Sequence, residues 1–328
     1  MKRLFAASVF ALSLFVATGC ETELDTPGEV SLETRNAADV LPLDVRALGM
    51  VDFQALERNP ALREAGLFSP GRLGDEMQAR LRDFTEATGF RPEEDLREVY
   101  IALRGEGDLT RPVFVAYADY TRERLGAYLD EEMSDAFTRA DYKGVPVFQS
   151  PPDGGGESIT VALANDNMFV ASPDAAEVHA MLDRLSGEGQ ALRDDEATMR
   201  LIRQASAGSA WFVVRGVDRA PFTSVRGTGE VGEIGEIAQL SRAVQDVAFS
   251  LDVQTDGVNA DAWMVAASNI TPGDLASLTR GAVAAFKTGA DLGSEEMAVL
   301  DDVRVREAGG EVRVSFRVPN DLLPPKNE

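Results

Sequence analysis

Of the side chains that do chemistry at neutral pH, the 328-residue chain carries one histidine, His179, and one cysteine, Cys20. An imidazole acts as a general base only beside a nucleophile, and as a metal ligand only in company. One His with one Cys cannot supply a zinc-finger, haem-pair or iron–sulfur ligand set, and one Cys cannot form an intramolecular disulfide. His179 stands in Ala176-Glu177-Val178-His179-Ala180-Met181-Leu182, at the border of a helical apolar stripe, and reads as a boundary residue capping a packed face. Lys143, Lys287 and Lys326 lie outside apolar runs, so nothing lowers their basicity towards Schiff-base or Ser–Lys chemistry. Neither G-x-S-x-G nor S-x-x-K occurs. Carboxylates number 55, and a glycosidase-like pair could be drawn from so many that none is singled out.

Two further patterns fail on context. Gly227-Thr-Gly229-Glu-Val-Gly232 has dinucleotide-loop spacing, with Asp252 about 20 residues on, but such a loop needs a buried strand before its first glycine. Ala220-Pro221-Phe222-Thr223-Ser224-Val225-Arg226 is short and broken by proline, so the glycines read as a connector. The acidic groups Asp153 to Glu157, Asp194-Asp195-Glu196 and Asp301-Asp302 lack hand-loop calcium spacing. The middle one more simply opens the helix bearing Met199 and Ile202. Trp211 and Trp263, within strand-like runs, read as core and not as sugar platforms. No cofactor and no metal site is therefore expected. Fifty-five acids against 32 bases, net −23, oppose nucleic acid as a partner, whose phosphates are held by Lys and Arg.

The elements that would position any site alternate short β runs with amphipathic helices. Val45 to Val51 and Ser209 to Arg215 read as strands. Leu73, Met77, Leu81 and Phe84 share one helical face, as do Leu125, Leu129 and Met133. Ser172-Pro173-Asp174 and Thr271-Pro272-Gly273-Asp274 each offer a hydroxyl cap, a proline at the first helical position and a first-turn acid. Hairpins are expected for Glu98 to Arg104 with Pro112 to Asp119, and for Ser158 to Ala164 with Met168 to Ala171. A long arm runs from Val247 to Val253 before Asp256-Gly257, and a last hairpin turns at Gly309-Gly310.

Consecutive hairpins with helices between them make an α+β protein. The expected organisation is two lobes, each an antiparallel sheet with helices on one face, over residues 41–206 and 207–328. Matching element order suggests a divergent internal repeat. In the last hairpin Val303, Val305, Val312, Val314 and Phe316 face one way, which gathers Arg304, Arg306, Arg313 and Arg317 on the other. A two-residue turn sets Arg306 opposite Arg313, and like charges there are unfavourable unless neutralised. Asp or Glu from a neighbouring element is the plain answer; an anionic ligand or acidic partner segment is the sharper one.

The first residues, Lys2 and Arg3 followed by the 14-residue apolar run Leu4 to Ala17, form a secretion signal too short for the ~20 residues of a membrane span. Val16-Ala17-Thr18-Gly19-Cys20 resembles the lipobox of bacterial lipoproteins, with Ala17 where Leu is usual. The resemblance implies removal of residues 1–19, diacylglycerol on the Cys20 sulfur and an acyl chain such as palmitate on its amine. Loss of Lys2 and Arg3 takes the charge from −23 to −25, so lipid and not charge would hold the body at a membrane. Residues 20–40 are expected to be the acylated cysteine and a flexible acidic tether. Glu21, where inner-membrane retention uses Asp, favours the outer membrane facing the periplasm.

Thr88-Gly89-Phe90-Arg91-Pro92-Glu93-Glu94-Asp95-Leu96 and Tyr142-Lys143-Gly144-Val145-Pro146-Val147 resemble segments of uncharacterised bacterial envelope proteins. That resemblance implies an envelope location and no activity. The reading that follows is a lipid-anchored, non-enzymatic envelope protein. Its partners would be the membrane, through acyl chains, and an unknown envelope protein or ligand. The alternatives are a carboxylate-dependent envelope hydrolase and a carrier holding an apolar ligand between lobes.

Overall fold

The computed structural model describes residues 30–65, 75–104, 112–151, 158–217, 240, 242–289 and 293–323. Cys20, the glycines at 227–232 and the acids at 153–157 lie outside these ranges. The chain divides into two compact units, residues 30–199 and 200–323, parting within a helix seven residues ahead of the expected division between 206 and 207.

The first unit is built on seven antiparallel strands. They are β1 Val45–Asp52, β2 Leu96–Arg104, β3 Pro112–Ala118, β4 Thr138–Tyr142, β5 Val145–Gln149, β6 Thr160–Ala162 and β7 Met168–Ser172. Their order is β1-β2-β3-β7-β6-β5-β4, each neighbour antiparallel. The helices are α1 Leu32–Val40, α2 Phe53–Arg58, α3 Pro60–Ala65, α4 Asp75–Thr88, α5 Pro92–Asp95, α6 Arg122–Glu131 and α7 Ala175–Leu185, with α8 Glu196–Ala205 at the junction.

Three local elements differ from what the sequence indicates. Residues 32–40 are helical and packed, with Ala37, Ala38, Val40 and Leu41 buried, so the tether cannot extend to residue 40. Small buried residues give little hydrophobic contrast in sequence, which is why the segment reads as solvated chain. Ser172 closes β7, and α7 is capped instead by Asp174, whose carboxylate accepts the Ala176 N–H. Met77, expected on the packed side of α4, is exposed.

A chain of hydrogen bonds fastens α1 to the sheet. The Ser31 hydroxyl donates to Thr34 Oγ1 at 2.9 Å, the Thr34 hydroxyl lies 2.8 Å from Tyr100 Oη, and Tyr100 donates to a Glu98 carboxylate oxygen. Tyr100 is fully buried. Desolvation raises the Glu98 carboxyl above its ordinary value, with Glu33 and Asp52 adding to it against the Tyr100 hydrogen bond and Arg97. Glu98 therefore adds its full share of stability below the unfolded value near 4.5, and loses it as pH rises through the higher folded value. Replacing Glu98 by Gln, which keeps a hydrogen-bond acceptor, removes that loss. Denaturant titrations across pH 4 to 8 are expected to show the native chain weakening relative to Glu98→Gln as pH rises; parallel curves would refute the assignment.

The second unit has β8 Ala210–Arg215, β9 Val244–Gln254, β10 Gly257–Ala266, β11 Arg304–Ala308 and β12 Glu311–Pro319, with helices α9 Pro272–Gly289 and α10 Ser294–Asp301. The strands run β8-β9-β10-β12-β11, again antiparallel. Thr271 caps α9 as its sequence indicates: its hydroxyl oxygen accepts the Asp274 N–H at 3.1 Å. Leu275, Ala282 and Val283 of α9 join Phe249, Met264, Val305, Val312 and Val314 in one core, which places α9 on a single face of these strands. The class is α+β, with antiparallel sheet and helices packed against it.

Candidate functional site

The four arginines singled out by the last hairpin do share a strand face. Gly309 and Gly310 both have positive φ, which a two-residue turn matching strand twist requires, and the register sets Arg306 opposite Arg313 and Arg304 opposite Ser315. Beside them on β10, Trp263 pairs with Arg313, Asp261 with Ser315 and Asn259 with Arg317.

Three of the four charges meet acids. Arg313 Nε donates to Asp261 Oδ1 at 2.9 Å while its guanidinium lies 5.3 Å from the Trp263 ring centre, a cation–π geometry. Arg317 reaches Asp256 at 2.5 Å, and Arg304 approaches Asp302 at 3.6 Å. Arg306 forms no ion pair with a described residue. Glu311, at the turn end of the same face, accepts from Gln204 and lies 3.7 Å from Arg200, both on α8. Trp263 is thus a half-buried platform under Arg313, whereas Trp211 is buried.

The lone imidazole is a packing group. The His179 ring stacks on Tyr142 with centroids 4.1 Å apart and planes 6° from parallel. The Tyr142 hydroxyl donates to both Asp183 oxygens, at 2.9 and 3.1 Å, and Lys143 Nζ lies 2.7 Å from Asp183 and from Glu188. Hydrogen bonds from Lys143 and then Tyr142 hold the Asp183 carboxyl below its ordinary value. These contacts fasten the β4–β5 hairpin to α7 and its following turn. Lys143 and Gly144 turn that hairpin with positive φ of 51° and 81°. Among the described residues no hydrogen bond joins the ring to a hydroxyl or thiol nucleophile. Nothing in the sequence pairs Tyr142 with His179, 37 positions away.

A cleft of about 380 Å³ opens beside Thr88, Gly89, Arg91, Asp95, Asp119 and Arg124. Its floor comes from the first of the two segments that resemble envelope proteins. Gly89, at φ 74°, ends α4 in the left-handed conformation, and Arg124 Nη2 donates to the Ala87 carbonyl at 3.1 Å across it. A Cβ at Gly89 would stand 2.8 Å from Arg124 Nη1, which the flexible arginine could yield, so it is the left-handed backbone that favours glycine. Arg91 bonds Glu94 at 2.6 Å, and its own N–H donates to Asp95. Asp119 lies 3.5 Å from Arg97. These charges brace helix ends and strand ends against each other. Among the described residues no group of three or more His, Cys, Asp or Glu side chains is arranged to hold a metal.

Comparison with known proteins finds likeness only in fold. No family model matches the chain, and no curated protein matches it. Crystal form IV of TP0453 superposes with a TM-score of 0.50 at 8% identity, covering 90% of this chain and 95% of that one. Form III gives 0.47 over 88% and 95%, also at 8% identity. At that identity the likeness carries the arrangement of strands and helices and says nothing about residues in a site.

Proposed function

We propose that the chain is a lipid-anchored cell-envelope protein whose folded body binds a protein or ligand and catalyses no reaction. The observation that carries this reading is the position of the sole cysteine, Cys20, at the end of a signal-type apolar run with Thr18-Gly19 before it. A cysteine used nowhere else in 328 residues is explained by a role in addressing the protein. The placement is the outer membrane, facing the periplasm, on the strength of Glu21.

The non-enzymatic part draws support from the one imidazole stacked on Tyr142 and from cleft charges braced against one another. The strand face around Arg306 is the surface assigned to binding, because among the described residues Arg306 has no ion-pair partner although the chain carries 55 acids against 32 bases. Crosslinking in intact cells, followed by recovery of the protein from the membrane fraction, is expected to return one or more reproducible partners that are lost with Arg306→Glu. Recovery of the protein alone from repeated experiments would overturn the binding role.

A further inference from the structure

Strand β4 ends the strand order of the first unit, and among the described residues its backbone is hydrogen-bonded to β5 alone. Such an edge is a template for one more strand, and proteins blunt it with proline, a bulge or repelling charge. β4 uses neither of the first two devices. Thr138-Arg139-Ala140-Asp141-Tyr142 contains no proline, pairs with β5 in unbroken register and exposes its first four residues. Its two charges, Arg139 and Asp141, are opposite in sign and alternate along the strand, so they share one face.

The turn fixes which backbone groups are free. Lys143 and Gly144 form a two-residue loop, so Tyr142 and Val145 close the hairpin as a hydrogen-bonded pair. Thr138, Ala140 and Tyr142 therefore direct their backbone groups to β5, and Arg139 and Asp141 direct theirs outward. Any added strand must set its own outward residues against these two.

A second copy of β4 does this in one register. With the two-fold axis at Ala140, Arg139 stands opposite Asp141 of the second copy and Asp141 opposite its Arg139. Both pairs exchange N–H···O bonds in both directions, and both bring opposite charges together. Moving the axis to Arg139 sets arginine against arginine; moving it to Asp141 sets aspartate against aspartate and Arg139 against Lys143. An axis between residues opposes outward groups to inward ones and leaves the ladder unmade. The edge is also held in place beforehand, which lowers the ordering cost of pairing. Arg139 bonds Asp130 of α6 on one face, and Tyr142 stacks on His179 and bonds Asp183 of α7 on the other. The five donors of the Arg139 guanidinium suffice for Asp130 and a second carboxylate.

We propose that the β4 edge is an isologous contact between two copies of this chain, paired antiparallel about Ala140. Five residues a side fall far short of the roughly 20–30 of a standard interface, so the contact is a reversible association and not an obligate dimer. It uses the first unit only, and rests neither on lipidation nor on the partner assigned to Arg306.

The test uses the full mature chain from residue 20 with Cys20→Ser, which leaves no cysteine, and adds Ala140→Cys. On the axis, the two Cα atoms at position 140 lie about 4.5 Å apart, within reach of a disulfide. Thr138→Cys is the control: it is exposed on the same face of the same strand, but stands opposite Tyr142, about 13 Å along from its own counterpart. Under mild oxidation Ala140→Cys is expected to give cross-linked dimer about 10-fold faster than Thr138→Cys. Added to the Ala140→Cys chain, Arg139→Asp or Asp141→Arg should each remove that advantage. An equimolar mixture of those two chains should recover it, as a heterodimer identified by mass, because acids on one copy then face arginines on the other. Recovery in the mixture also shows that both chains fold, and denaturation midpoints by circular dichroism check each alone. Equal rates for Ala140→Cys and Thr138→Cys, a rate indifferent to Arg139→Asp, or a mixture no faster than its components would overturn the proposal.

Discussion

Cys20→Ser is expected to move the protein from the membrane fraction to the soluble fraction. The effect should be near complete, because on the proposed reading the acyl chains are the anchor. Among the described residues no helix is long and apolar enough to cross a membrane. A net charge of −23 repels anionic headgroups, and the basic face around Arg306 is small beside it. Acyl chains contribute about 0.8 kcal/mol per buried methylene, so two or three chains make dissociation negligible and their loss makes association negligible. Membrane retention of Cys20→Ser after a high-salt wash would show that the anchor lies elsewhere.

Tyr100→Phe is expected to destabilise the first unit by about 1–3 kcal/mol, since it leaves the buried Thr34 hydroxyl and the desolvated Glu98 carboxylate without their shared partner. Tyr100→Ala adds the loss of a fully buried ring and should cost about 3–5 kcal/mol. The neighbouring Tyr117 supplies the control. Its ring meets Tyr100 edge-to-face at 6.0 Å, yet its buried hydroxyl bonds no partner among the described residues. Tyr117→Phe removes no hydrogen bond and should be neutral or stabilising. Denaturant midpoints at neutral pH separate the three variants. Equal effects of Tyr100→Phe and Tyr117→Phe would show that the bonds joining Ser31, Thr34, Tyr100 and Glu98 contribute nothing beyond ring packing.

What the sequence discloses and what it hides divide along physical lines. The Thr271-Pro272-Gly273-Asp274 start is legible because cap, proline and acid act within four residues. The Arg306–Arg313 pairing is legible because a two-glycine turn leaves the hairpin one register. Strand β4, Thr138-Arg139-Ala140-Asp141-Tyr142, is not: four of its residues are exposed and it shows no alternation, so only pairing with β5 makes it a strand. Helix α1 is hidden for a related reason, its buried face being made of Thr34, Ala37, Ala38 and Val40. The same locality limits the site. The arginine face follows from neighbours in sequence, whereas Asp261 beneath Arg313 comes from 52 positions away and Asp183 reaches Tyr142 across 41.

Cys20, as proposed, is an address written in lipid. Intact-mass measurement of the mature protein extracted from membranes tests that most directly. The expected mass is that of residues 20–328 plus a diacylglyceryl group and an N-acyl chain, with the added mass confined to the peptide beginning at Cys20. A chain whose first residue is not Cys20, or one beginning there with a free amine and a free thiol, would contradict it.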